Sequence, residues 1–502
     1  MTSLIRTSQA SGLLALSLSA TLLISGCGLA HLLPADAARQ STGQGGTAFD
    51  GTDEMSASAS SVAAGPGIPM WLSDSSTGAA LADALPPGLL EGAHATVPGA
   101  PTPPEFRTRL LDLDPGLTDT TYAPEAYDAV ILIALAAIAA QSDVGTDIAR
   151  LLPELTHGRE RCDSYSACRD VQRRSGVPDY VGLSGPIALT RRGDPTVATI
   201  GDYLFGADTQ VLPEGEFDLV ARPEPMGDDL PVGPAQSGAD DGRLTIGALL
   251  PTTGQLAFAG SAALAGVRLA VQDVQAFGEL PGIGQVRLVV EDSGDGTPAM
   301  EQAATARLLA ADVDAVVGPA ASSTTLSVMG PITASGVVLI SPISADTTLS
   351  SGTRSGLFFR TAPTDALQGR FLGLAAASSG HSRIAVIAVD DTYGRGLADA
   401  VIEVLDEAGA VSLRLDVPRS QSPPSTDTGS SADTSGASAM TAQADALAMK
   451  VAAFHPSATI LVAYDEIAPI VLALDRAGVG PRPGRVFVSS PSATEHSQAD
   501  PT

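Results

Sequence analysis

From residue 243 onward, short apolar runs rich in β-branched residues alternate with stretches of helical periodicity. Strands are predicted over 244–250, 286–290, 313–317, 337–340, 384–389, 459–462 and 486–488, each bounded by Gly, Pro or Asp. Between the first two, Leu264, Val267, Val271 and Val274 recur at the spacing of one helix face. This alternation implies an α/β fold of parallel sheets with helices on both faces, because each parallel crossover has to return over the sheet. Such sheets hold ligands at the carboxyl ends of their strands, where the loops converge.

Other stretches break the pattern. Arg6 gives a weakly positive start, 13–24 is an apolar run too short for a confident membrane span, and Ile24-Ser25-Gly26-Cys27 is a small-residue cleavage site ending in cysteine. Residues 1–26 resemble a bacterial lipoprotein signal, which implies lipid on the Cys27 thiol and Cys27 as the first mature residue; an ordinary cleaved signal with an incidental cysteine is the alternative. Residues 27–65, rich in Gly, Ser, Ala and Thr, read as a flexible stalk. A linker is expected over 223–242, a disordered surface insertion over about 418–439 and a tail over 491–502. Of the later stretches, 129–140 comes nearest to a membrane span and sits within a helix that becomes buried, so the expected tether is the lipid alone.

A formal net charge of −28 and a pI near 4.4 argue against nucleic-acid binding, since no basic cluster could neutralise phosphates. With Cys27 lipidated, Cys162 and Cys168 remain. Metal binding would need further ligands and no histidine pair is nearby, so a local disulfide in an oxidising compartment is the assignment. His31, His94, His157, His381, His455 and His496 show no nucleophile or metal spacing, and neither a nucleophile elbow nor a Walker loop is present. No enzyme, cofactor or metal is expected.

Three predicted strand ends carry polar loops. Ala320-Ala321-Ser322-Ser323-Thr324-Thr325 should open a helix over 326–333, and its N–H groups and hydroxyls suit a carboxylate, although a simple helix cap is the plainer reading. Ile340-Ser341-Pro342-Ile343-Ser344-Ala345-Asp346 supplies a second loop on the same crevice. In Asp390-Asp391-Thr392-Tyr393-Gly394, Tyr393 either closes over a ligand or packs on its own lobe.

Together with Gly247-Ala248-Leu249-Leu250-Pro251-Thr252-Thr253-Gly254 and Phe359-Arg360-Thr361, these loops resemble the leucine/isoleucine/valine-binding family of ABC-transporter substrate-binding proteins, over about 243–488. The upstream runs Leu85-Pro86-Pro87-Gly88-Leu89-Leu90-Glu91-Gly92, Tyr122-Ala123-Pro124-Glu125-Ala126-Tyr127-Asp128-Ala129-Val130, Cys162 to Cys168 and Leu183-Ser184-Gly185-Pro186-Ile187 are similar to that family's closing third. The resemblance therefore implies a two-lobed type I periplasmic binding protein, each lobe a parallel-sheet α/β sandwich, in circularly permuted order. Residues 66–222 would supply the closing third and 243–490 the opening two-thirds. At the seam, 69–73 and 485–490 compete for one strand position.

The reassembled order places 243–362 and about 103–178 in one lobe, and 365–490, 66–98 and 182–222 in the other. The resemblance implies that Ser322, with neighbouring N–H groups, holds a ligand carboxylate, helped by Ser323 and Ser344; that Tyr393 is the lid; and that Asp74 pairs with an ammonium. Ala345 stands where amino-acid binders carry threonine, which leaves amides, urea-like molecules and small carboxylates open as ligands. Tyr122 and Tyr127 are expected in short-range helix packing. The implied function is a lipid-anchored solute receptor delivering a small-molecule ligand to an ABC permease; the alternative is a non-transporting surface lipoprotein, a sensor or a degenerate binding protein.

Overall fold

The computed structural model describes residues 68–481 except 75–80, 82–83, 175, 209–210, 221–240, 255, 295–296, 353–355 and 420–433. The signal with Cys27, the stalk, nearly all of the 223–242 linker, the strand expected at 486–488 and the tail lie outside the described residues. In the upstream part the strands are β1 (Met70–Leu72), β2 (His94–Pro98), β3 (Glu160–Cys162), β4 (Pro178–Gly182), β5 (Gly185–Pro186), β6 (Val197–Phe205) and β7 (Val211–Val220). Downstream follow β8 (Arg243–Leu250), β9 (Gln285–Asp292), β10 (Ala315–Val317), β11 (Val338–Ser341), β12 (Phe358–Arg360), β13 (Arg383–Val389), β14 (Val411–Val417) and β15 (Ala458–Val462).

One five-stranded sheet has the order β12-β11-β10-β8-β9 with every pairing parallel. Its strands other than the edge strand β9 are buried on both faces, with successive side chains alternating across the pleat. Leu244, Ile246, Ala248 and Leu250 join Ala315, Val317, Val338 and Ile340 under the helices Ala123–Ala140 and Ala257–Ala276. Leu249, Val316, Leu339 and Phe358 face the other way, onto Leu308, Val328 and Ile332 of the helices Pro298–Ala310 and Ser322–Ala334. The long apolar helix Ala123–Ala140 is thus an interior element, 83% buried. It lies so close to its neighbour that a Cβ on Gly266 would come within 2.2 Å of the Ala123 carbonyl oxygen.

The second sheet runs β14-β13-β15-β1-β2-β6-β7. Its first five strands are parallel, and β6 and β7 extend it as an antiparallel hairpin. Strand β1 seats centrally, Trp71 opposite Ile460 on one side and His94 on the other. Met70 and Leu72 point to the face carrying Leu447, Val451, Ile470 and Leu474, while Trp71 points to the face carrying Leu372, Leu397 and Val401. Strands from both halves of the sequence therefore share one sheet, and 69–73 holds the position for which 485–490 competed. A small sheet, β3-β4-β5, stands apart.

Several expectations shift. Strand β14 and the β6–β7 hairpin were not expected. Strand β14 alternates apolar Val411, Leu413, Leu415 and Val417 with polar Ser412, Arg414 and Asp416, the period-two pattern of an edge strand, so a reading for continuous apolar runs passes over it. The helix Thr434–Phe454 begins inside the stretch read as an insertion, so 434–439 is helical. The helix after β10 starts at Ser322 rather than 326, because Ala321 already has extended cap geometry and the Thr325 hydroxyl donates back to its carbonyl at 3.1 Å. Cys162 and Cys168 are joined by a disulfide, with Cα atoms 5.2 Å apart.

Candidate functional site

Strands β1, β10, β11, β13 and β15 end in loops that carry the candidate residues, as expected for parallel sheets. Ser322 opens its helix, is buried, and its hydroxyl accepts from the Asp346 N–H at 3.4 Å. Ser344 is committed elsewhere: its hydroxyl lies 2.7 Å from Thr325 Oγ1, 3.0 Å from the Ala320 carbonyl and 3.3 Å from that of Pro319. These contacts tie the loop after β11 to the loop after β10. Ser323, next to Ser322, is exposed.

Asp74, just past β1, draws the other pieces together. The Tyr393 hydroxyl donates to its Oδ1 at 2.7 Å, Gln368 Nε2 donates to the same oxygen at 3.0 Å, and the Tyr122 hydroxyl donates to Oδ2. Tyr393 and Gln368 stand on the helices Thr392–Glu407 and Asp365–Ser378 of the seven-stranded sheet, whereas Tyr122 starts the helix Ala123–Ala140 of the five-stranded one. Tyr122 packs its ring in the core with its own helix, as expected, and its hydroxyl in addition reaches Asp74. It sits at φ 67° before its helix, and this left-handed turn accompanies a phenol directed at Asp74. Tyr127 does serve helix packing, donating to Asp273 of the facing helix at 2.7 Å.

Burial, followed by the negative charge of Asp74, pushes the phenols of Tyr393 and Tyr122 well above their usual range, so both stay protonated donors. Tyr464, after β15, packs against Tyr393 with the rings tilted by 37° and their centroids 5.3 Å apart, and the Arg419 guanidinium covers its ring at 4.9 Å. Asp391 caps the Tyr393 helix through the Gly394 N–H at 2.8 Å, which fixes where the phenol emerges.

The crossing from β12 into the helix Asp365–Ser378 is braced by Arg360. Arg360 is fully buried, donates to Asp194 at 2.7 Å and to the Asp346 carbonyl at 2.9 Å, and so holds the β11 loop. Asp365 is buried with neither carboxylate oxygen hydrogen-bonded. Burial first, then the carboxylates of Asp346 and Asp74, drive it well above the usual carboxylate range. The same region thus holds protonated phenols, a hydrogen-bonded carboxylate and a carboxyl group that resists ionisation. Such a set can meet a ligand that carries both donors and acceptors.

Sequence reasoning missed Tyr122, Gln368, Asp365 and Tyr464. Tyr464 was accessible, since it directly follows the carboxyl end of a predicted strand. Asp365 and Gln368 lie three residues apart and so share a helix face, but nothing local says which face meets Asp74.

Residues 243–469 match the sequence pattern of the family described as periplasmic binding protein. A Leu/Ile/Val-binding protein homologue of Brucella melitensis biotype 1 is 25% identical over 174 residues, 34% of this chain and 46% of that protein. A Leu/Ile/Val-binding protein of Rhizobium johnstonii is 27% identical over 173 residues, again 34% of this chain and 46% of that protein. The chain thus spans about half the length of the curated relatives it matches. Among solved structures, a leucine-binding protein of Thermotoga maritima aligns with 23% identity and a TM-score of 0.37, covering 47% of this chain and 61% of that one. Residues 243–469, which end just beyond β15, thus match the periplasmic binding protein family, and leucine/isoleucine/valine-binding proteins are among the relatives similar to this chain.

Proposed function

We propose that this chain is an extracytoplasmic, lipid-anchored solute-binding protein of an ABC transporter. It takes a small polar solute, such as a branched-chain amino acid, an amide or a related molecule, between its two sheets and presents it to a permease. The observation that carries this reading is Asp74, bonded at once by Tyr393 from one side and Tyr122 from the other. In the proposed role the ligand's ammonium or amide N–H groups take up the Asp74 carboxylate, Ser322 and the adjacent helix start receive its acceptor end, and Tyr393 closes over it. Ser323 and Ser344 serve as flanking groups of that helix start.

The circular permutation belongs to the same proposal. It is supported by β1, β2, β6 and β7, which precede the linker in sequence yet complete the sheet of β13, β14 and β15. Lipidation of Cys27 supplies the tether, and Cys27→Ala should move the protein from the membrane to the soluble fraction.

Calorimetry of the mature chain with leucine, isoleucine, valine and their amides tests the reading. We expect one of them to bind at micromolar strength or better, and Asp74→Asn to weaken it by at least about tenfold, the cost of losing a charge-assisted hydrogen bond. Equal affinity in Asp74→Asn, or no binding across a broader set of small acids and amides, would discard this site.

A further inference from the structure

We propose that His94, Asp202 and Glu214 form a binding site for a divalent transition-metal ion of the zinc type, on the β2–β6–β7 edge of the seven-stranded sheet. Three strands supply one ligand each. His94 Nδ1 lies 3.1 and 3.2 Å from the two Asp202 oxygens and 3.8 Å from Glu214 Oε2, and all the candidate ligand atoms fall within 4.8 Å of one another. A tetrahedral zinc ion with bonds of about 2.0–2.2 Å holds its ligand atoms roughly 3.4 Å apart. The observed separations bracket that value. One imidazole with two carboxylates is a borderline donor set suited to such ions, and three protein ligands leave a fourth position for water.

The backbone aims these side chains. His94 pairs with Leu204 and Thr96 with Asp202, so His94 and Asp202 are diagonal neighbours on one face of the antiparallel pair. In the next pairing Asp202 opposes Gly215 and Tyr203 opposes Pro213, which leaves Glu214 as the extra residue of a bulge. A bulge turns a side chain out of the regular alternation, and here it brings Glu214 to the two groups already assembled. His94 is 8% exposed, and its ring is stacked on Trp71 at 5.7 Å with an interplanar angle of 18°. The stack restricts rotation of the imidazole and keeps Nδ1 turned toward the two carboxylates. Two carboxylates turned onto one nitrogen also place more negative charge there than a single imidazolium neutralises, and a dication meets that demand.

Trp71 is the only tryptophan in the chain, which supplies a local reporter. Titration of the metal-stripped mature chain with Ni2+ should quench its fluorescence, and dialysis against Zn2+ should leave one tightly held ion per chain. Glu214→Gln, 38% exposed at its side chain and on the edge strand, can be made without disturbing the core. It should weaken Zn2+ and Ni2+ by at least about tenfold, and the isosteric Asp202→Asn by at least as much. Unfolding midpoints should rise with Zn2+ in the wild type and not in either variant. Less than one ion per chain, or quenching and affinity unchanged in Glu214→Gln, overturns the site whatever Asp202→Asn does to folding.

Discussion

At the scale of single residues, the charges of this chain are set by where they are buried. Asp314 is 5% exposed, and its carboxylate accepts from the Thr245 N–H at 2.7 Å. Burial, with like charge from Asp143, Asp241 and Asp312, pushes it up to about 8. The folded state therefore holds this proton more tightly than the unfolded chain. The resulting stabilisation is complete below about pH 4 and is lost as pH rises through about 8. Asp314→Asn keeps an acceptor for Thr245 and cannot ionise, so its urea midpoint relative to wild type should climb steadily from pH 5 to pH 8.5. A constant offset would mean that Asp314 does not titrate in this window. Tyr122→Phe removes one of the three groups on Asp74 while leaving the ring in the core. If Tyr122 braces the closed arrangement, ligand release should quicken several-fold with a smaller change in association, read by stopped flow once a ligand is identified.

At the scale of elements, two helical glycines should respond differently to a methyl group. Gly266 faces the Ala123 backbone, where a Cβ would meet the carbonyl oxygen at 2.2 Å, so Gly266→Ala should cost about 1–3 kcal/mol in denaturant unfolding. Gly330, in the helix Ser322–Ala334, meets nothing within 4 Å of its Cβ position beyond its chain neighbours, but the ring of Pro331 disfavours helical geometry for a preceding residue with a Cβ, which offsets the propensity gain and leaves Gly330→Ala near neutral. A loss at Gly266 without one at Gly330 would tie the effect to local space rather than to composition. The Cys162–Cys168 disulfide, with a sequence separation of 6, closes a short loop, and its reduction should cost about 2 kcal/mol on the chain-entropy account. Alkylation without reductant should find neither thiol free.

At the scale of the whole molecule, the two sheets draw on both sides of the linker. Strand β1 is hydrogen-bonded between β15 and β2, and the helix Ala123–Ala140 packs its apolar length on Ala257–Ala276. Cleavage within 223–242 should therefore nick the chain while the fragments co-elute in gel filtration, because separation would expose the core face of every shared element. Fragments that part and refold independently would show that residues 66–222 and 243–490 are separate domains, and the permuted order would be abandoned.

Local pattern alone determined the parallel strands β8, β9, β10, β11, β13 and β15, since each is a short β-branched run bounded by Gly, Pro or Asp, whereas β12 and β14 were not marked by it. It also marked the loops of Ser322, Ser344 and Tyr393, because strand ends are where polar residues interrupt those runs. It gave the disulfide too, from two nearby cysteines without further metal ligands. The tertiary structure decided what depends on register and on contacts distant in sequence. Trp71 takes the central strand position through pairing with Ile460, and Asp74 gathers Tyr122, Gln368 and Tyr393 from elements up to 319 residues apart. His94 and Asp202, separated by 108 residues, meet only because an antiparallel pairing makes them neighbours, and Glu214 joins them only through a one-residue bulge. Spacing along the chain records periodicity within an element, whereas these sites arise from register between elements, which is fixed by the packing of whole faces.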